Sequence, residues 1–220
     1  MKNNLQFSFF LILGYILCGL VVFCEERIYI KGDKMRVSGK GDIVEFSNNV
    51  KLEYKNILLS SNYVRNCERK NVVEAKENVE LSTFVNSSDR VKIFADSATL
   101  YTRNGKFEFS EKPHIQYINI SSNNIVDIYS EYVEYDTSKG VMLAKDNVKI
   151  CWEGNVAEAT LAMYSEKDKM LSLSGRPKVK FQKEKIEAVY QADKINILLD
   201  EEKIIFEGKV VGKIDIKNEQ

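Results

Sequence analysis

Residue types that carry acid–base, nucleophilic or metal chemistry are sparse in this chain and poorly grouped. The single histidine, His114, stands beside Pro113 on what alternation makes an outward position, so it reads as solvent-facing and not as a ligand. The four cysteines are Cys18, Cys24, Cys67 and Cys151, the first two inside an apolar leader. Cys67 and Cys151 read as unpaired, half-buried thiols, with a disulfide left open because sequence does not place their Cα atoms. Paired acids such as Glu25-Glu26 and Glu201-Glu202 fall in flanks or turns, where solvated charge is the expected state. No nucleophile, base and orienting group recur in a recognisable spacing, and no glycine-rich phosphate loop is present. The expectation is a non-enzyme without cofactor or metal. Tyr129, Tyr132 and Tyr135 raise the question of stacking on bases, but 32 basic against 32 acidic residues leaves no electrostatic footprint for nucleic acid.

What the chain has in quantity is hydrocarbon at strand spacing. Val148, Ile150 and Trp152 alternate with Lys149 and Cys151, and Val179 and Phe181 with Lys178 and Lys180. Val50, Leu52, Val79, Leu81, Ile93, Ile115 and Tyr117 hold matching positions in neighbouring segments. These side chains either line an apolar groove or fill an ordinary core.

The segments that position them repeat. A small residue followed by a polar one recurs at Gly32-Asp33, Ser61-Asn62, Ala95-Asp96, Ser130-Glu131, Ala159-Thr160 and Ala192-Asp193. Five residues on stand Val37, Leu100, Tyr135, Tyr164 and Ile197, with Asn66 the exception. A second anchor, the apolar residue after Asn, Pro-Xaa or Lys, falls at Val50, Val79, Ile115, Val148, Val179 and Val210, giving separations of 29, 36, 33, 31 and 31 residues. Such a period marks an array of one supersecondary unit, about five to six repeats of roughly 30 residues.

Long alternating segments are expected at Ile28–Val37, Ile43–Tyr54, Ile57–Val64, Val72–Phe84, Val91–Tyr101, Phe107–Ile118, Ile125–Tyr135, Val141–Trp152, Val156–Tyr164, Met170–Phe181, Ile186–Leu198 and Ile204–Ile214. Short polar turns separate them, Asn104-Gly105 being the strongest hairpin signal. Short connections force antiparallel neighbours and an up-and-down order. Around Ala95 the apolar parity switches, from Ile93 and Ala95 to Ala98 and Leu100, and it switches again around Ser130. A sheet that keeps one apolar face through such a switch must bulge or bend. Ser61, Ala95, Ser130, Ala159 and Ala192 are therefore the expected strand-bend residues. Each strand then folds over, giving an all-β, elongated, twisted, V-shaped antiparallel sheet with an apolar interior along its length and open edges at both ends.

Residues 1–24 carry Lys2 and then an uncharged apolar run, which reads as an export signal. Cleavage after Val22-Phe23-Cys24 is favoured, while an N-terminal membrane anchor is the competing reading because Leu5 to Cys24 is long enough to cross a bilayer. The array then occupies residues 25–216, with a polar tail at 217–220.

The paired signatures, as in Ser130-Glu131 to Tyr135 followed by Asn147-Val148, resemble the organic-solvent-tolerance (OstA) repeat of the LptA family. That repeat builds periplasmic lipopolysaccharide-transport proteins, and the resemblance covers roughly residues 28–216. It implies a β-jelly roll holding the acyl chains of lipopolysaccharide, or of a related outer-membrane glycolipid, between its half-sheets. Edge-to-edge strand contacts would join it to itself and to inner- and outer-membrane components across the periplasm. Under this resemblance Val50, Leu52, Val79, Leu81, Ile93, Ile115, Tyr117, Val148, Ile150, Trp152, Val179 and Phe181 are lipid-groove residues. A retained leader would instead match the LptC-like anchored component, and a structural β-array without cargo is the remaining alternative.

Overall fold

Short turns leave each segment to run back beside its predecessor, and the chain does this from end to end. The computed structural model describes residues 27–85, 89–183, 186–199, 201 and 203–216. The leader 1–24, the tail 217–220 and parts of the turns at 86–88 and 200–202 lie outside the described residues. Six strands are long and continuous: β3 (Ile43–Tyr54), β4 (Ile57–Cys67), β5 (Val72–Phe84), β6 (Asp89–Tyr101), β11 (Val141–Trp152) and β12 (Asn155–Ser165). Six other crossings are each split in two: β1 and β2 (Ile28–Lys31, Lys34–Ser38), β7 and β8 (Lys106–Ser110, His114–Asn119), and β9 and β10 (Asn124–Tyr129, Tyr132–Asp136). The last three are β13 and β14 (Met170–Ser174, Lys178–Lys183), β15 and β16 (Ile186–Gln191, Lys194–Leu198), and β17 and β18 (Lys203–Glu207, Val211–Ile216).

All pairings among the described residues are antiparallel, and they sort into two half-sheets that share the long strands. One runs β2, β3, β4, β5, β6, β7, β10, β11, β12, β13, β16, β17. The other runs β1, β3, β4, β5, β6, β8, β9, β11, β12, β14, β15, β18. The result is the expected elongated, folded-over, jelly-roll-like sheet.

The fold line has a specific backbone device. Registers slip between Ser47 and Val50, between Lys76 and Val79, and between Lys145 and Val148, where two residues face one on the next strand. Those two are left-handed in each case: Asn48-Asn49, Glu77-Asn78 and Asp146-Asn147, with φ between 50 and 65°. Glu111-Lys112 and Gly175-Arg176 repeat the conformation. Asn and Asp tolerate this region because their short polar side chains satisfy nearby backbone or neighbours; Asn49 Nδ2 donates to Asp33 Oδ2 at 2.7 Å across the line. Gly175 has no substitute there: at φ 78° its missing Cβ would lie 2.5 Å from Thr160 Cβ.

Ser61, Ala95 and Ala159 stand directly opposite Val50, Val79 and Val148, just past the left-handed pairs. Ser130 N–H donates to Pro113 O at 3.3 Å and Ala192 N–H to Pro177 O at 3.4 Å, so these two occupy the same line. Pro113 and Pro177 are thus the structural counterparts of Val50 and Val148. The repeat anchors at Ile115 and Val179 lie two residues too far along, on the same inward face. A proline there has no N–H for the ladder, but the split is general: the crossings expected as single segments at Ile28–Val37, Phe107–Ile118, Ile125–Tyr135, Met170–Phe181, Ile186–Leu198 and Ile204–Ile214 are each two strands, with a proline at the line in only two of them.

At Asn104-Gly105 the hairpin is a four-residue turn and not a two-residue one. Gly105 N–H donates to Tyr101 O at 2.9 Å, and only Gly105 of the two is left-handed, at φ 67°. The β10–β11 turn is held by Asp136. Its Oδ1 accepts from Ser138 Oγ (2.6 Å), Ser138 N (3.1 Å) and Lys139 N (3.2 Å), and Oδ2 lies 2.8 Å from Lys139 Nζ. The Lys139 ammonium first, and the Ser138 hydroxyl next, hold this carboxyl at about 2. A carboxyl depressed in the folded state contributes stability above its unfolded value near 3.8, and that contribution is lost as pH falls toward about 2. Asp136→Asn should therefore flatten the acid limb of a stability-against-pH curve between about pH 4 and 2. An unchanged limb would show that the turn is not titrating there.

Candidate functional site

The inner faces of the two half-sheets build one apolar interior. Of the residues singled out from sequence, Val50, Leu52, Val79, Leu81, Ile93, Ile115, Tyr117, Val148, Ile150 and Val179 are buried, and Trp152 and Phe181 half-buried. All twelve belong to the second half-sheet, from the fold line outward, so together they form one wall. The facing wall includes Leu100, Phe107, Phe109, Tyr135, Tyr164 and Leu173 and was not among the candidates. Its signal was present in the repeat: Leu100, Tyr135, Tyr164 and Ile197 are the residues five beyond the small anchor, past the parity switch.

The walls do not stand equally far apart along the array. Toward the N-terminal end they are in contact. Tyr54 lies 6.3 Å, centroid to centroid, from Phe107, which stacks on Phe109 at 6.1 Å. Leu52, Leu81, Ile93, Phe107 and Phe109 are 0–1% exposed. Here the tip of Tyr54 presses on Gly105, where a Cβ would lie 2.9 Å from its hydroxyl. The neighbouring Tyr135 hydroxyl donates to Glu166 Oε1 at 2.9 Å, and burial, then the Glu166 charge, push the phenol above its ordinary range.

In the C-terminal half the walls part locally, before Tyr190 (β15) and Phe206 (β17) meet across the interior with centroids 5.3 Å apart. A cleft of about 570 Å³ opens between Tyr117, Trp152 and Phe181 on one side and Ile197, Leu199 and Ile204 on the other. Its rim carries Asn119, Ser122, Asn124 and Glu153. Trp152 meets Phe181 edge-on at 6.3 Å, and Phe181 meets Tyr190 at 5.9 Å, so the wall is an aromatic row. Behind the cleft a narrow apolar space of about 20 Å³ continues inward, and Tyr117, Val126 and Leu199 line both. Its volume is in the range of about 300–1,000 Å³ typical of ligand sites, and its lining is mixed, with polar groups contributing about as much exposed surface as the apolar wall.

The outer faces differ in kind. Half-buried Lys106 Nζ bridges Glu108 (3.2 Å) and Glu134 (3.0 Å), tying β7 to β10 on the outer face. His114 is on this outer side but is less open than expected. It is half-buried, stacked on Tyr129 at 4.4 Å, with Nε2 2.7 Å from Asp127 Oδ1. Cys67 and Cys151 are free thiols, at the ends of β4 and β11. Among the described residues no cluster of His, Cys, Asp and Glu could hold a metal, and no helix is long and apolar enough to cross a membrane.

No protein-family model matches this chain, and no curated protein matches it. Among solved structures it is similar to the crystal structure of LptH, the LptA homologous periplasmic component of the conserved lipopolysaccharide transport device from Pseudomonas aeruginosa. The TM-score is 0.34 at 13% identity, and the match covers 72% of this chain and 97% of that one.

Proposed function

We propose that this chain is an exported lipid carrier that takes acyl chains of lipopolysaccharide, or of a related outer-membrane glycolipid, between its half-sheets. The observation that carries this reading is the cleft between the two walls in the C-terminal half, where Trp152 and Phe181 face Ile197, Leu199 and Ile204 beside a polar rim. At about 0.8 kcal/mol per methylene, a chain of about 14 carbons costs on the order of 10 kcal/mol to leave in water. A carrier must therefore pass such a chain from one apolar site to the next without an aqueous step. On this reading residues 1–24 are the export signal, 25–216 the carrier domain and 217–220 a tail, and the protein works in the periplasm. The strand edges at β1, β2, β17 and β18 suit docking to further copies or to membrane components: Tyr29, Met35 and Val37 are exposed at one edge, Val211 and Ile214 at the other.

The closed packing around Phe107 favours a second reading, a structural β-array without cargo. One residue separates the two. Trp152 is the only tryptophan in the chain and stands in the cleft wall. Titrating a fatty acid brominated near its methyl end should quench Trp152 fluorescence saturably and shift its emission to the blue. Folded protein whose emission ignores the probe would leave the structural array as the better account.

A further inference from the structure

We propose that Tyr117 and Tyr164 form a gate that sets the length of acyl chain the cleft accepts; this rests on the cleft being a lipid site. Tyr117 comes from β8 and Tyr164 from β12, on opposite half-sheets, and their rings meet with centroids 5.8 Å apart at 59°. They are 7% and 6% exposed, at the point where the open cleft gives way to the narrow inner space. Tyr117 lines both spaces, and Tyr164 only the inner one. A chain end entering from the cleft therefore meets Tyr117, with Val126 and Leu199 beside it, as a floor that Tyr164 backs from the inner side.

The inner space is almost entirely apolar and holds about 20 Å³, close to one water-sized sphere, so it stays dry and admits no hydrocarbon as it stands. What lies behind the rings can yield. On the Tyr164 wall Met142, Ala144 and Ala162, one flexible side chain and two small ones, line that space, while Val91, Ile115 and Ile128 form the facing side. Moving or shortening one ring thus joins the two spaces into a longer slot. The rings act as a stop whose position, and not the volume of the open cleft alone, decides which chains fit.

The test measures binding of saturated fatty acids from octanoate to stearate to the full chain by titration calorimetry, which reads all variants alike. Affinity should rise about fourfold per added methylene until the chain end reaches the rings, and then level off. Tyr117→Leu and Tyr164→Leu should move that break to longer chains, and Tyr117→Trp should move it to shorter ones. Opposite shifts from a smaller and a larger residue at one position cannot come from loss of folding. A break at the same length in all four proteins would overturn the gate and leave the cleft as a lipid site. Failure of every chain to bind any of them would overturn both.

Discussion

Phe107→Ala should lower the stability of the folded chain by about 3–5 kcal/mol, the range for removing a fully buried phenylalanine. Phe107 is 0% exposed, stacks on Phe109 and meets Tyr54 from the opposite wall. Its strand pairs on both sides, with Leu100 and Tyr135 as its direct neighbours, so little can collapse into the space left behind. A urea or guanidinium transition should show the midpoint falling with its slope unchanged. The outcome also decides what the N-terminal half of the interior is. A loss below about 1 kcal/mol, accompanied by new uptake of fatty acid, would mean that this end is a fillable groove and not packed core.

Replacing Asp146-Asn147 by Val-Val should cost about 2–4 kcal/mol, because each β-branched residue forced into the left-handed region pays about 1–2 kcal/mol. The pair lies in the middle of the array, at φ 61° and 51°, where Glu131 N–H donates to Lys145 O at 3.2 Å and Asp146 O at 3.1 Å. Gly-Gly at the same positions adopts the conformation without a steric penalty and should lose no more than about 1–2 kcal/mol, through unfolded-state entropy alone. Comparing the two double variants by thermal or chemical unfolding isolates the backbone term. Equal losses would show that the left-handed pair does not make the bend.

The anchors were readable before their cause was. Asn before Val50, Val79 and Val148 is visible as a repeat, but nothing in periodicity states that the Asn is left-handed. The two apolar gaps at the fold line do state that something bends. Inward positions skip from Ala95 to Ala98 on β6, switching parity, and from Ala75 to Val79 on β5, keeping it. The shorter gap belongs to strands with the small-polar dipeptide and the longer one to strands with the left-handed pair. Proline hid the equivalence of Pro113 and Pro177 to the valine anchors, since a valine-to-isoleucine match two residues on looked more regular. One wall of the interior was found because its residues alternate cleanly next to the anchors. The other was missed because its positions must be counted from beyond the parity switch.

Sequence by itself determined the antiparallel up-and-down order, the fold line and the inward side chains of one wall. These follow from short turns, a side-chain period of two and a skipped position, all interactions between residues close in the chain or on adjacent strands. Only the tertiary structure decided where the two inner faces close and where they part. That depends on side chains meeting across the interior from distant crossings, Tyr54 with Phe107 and Tyr117 with Tyr164. Whether such pairs fill the gap is a matter of summed volume and shape at close packing, which no local pattern encodes.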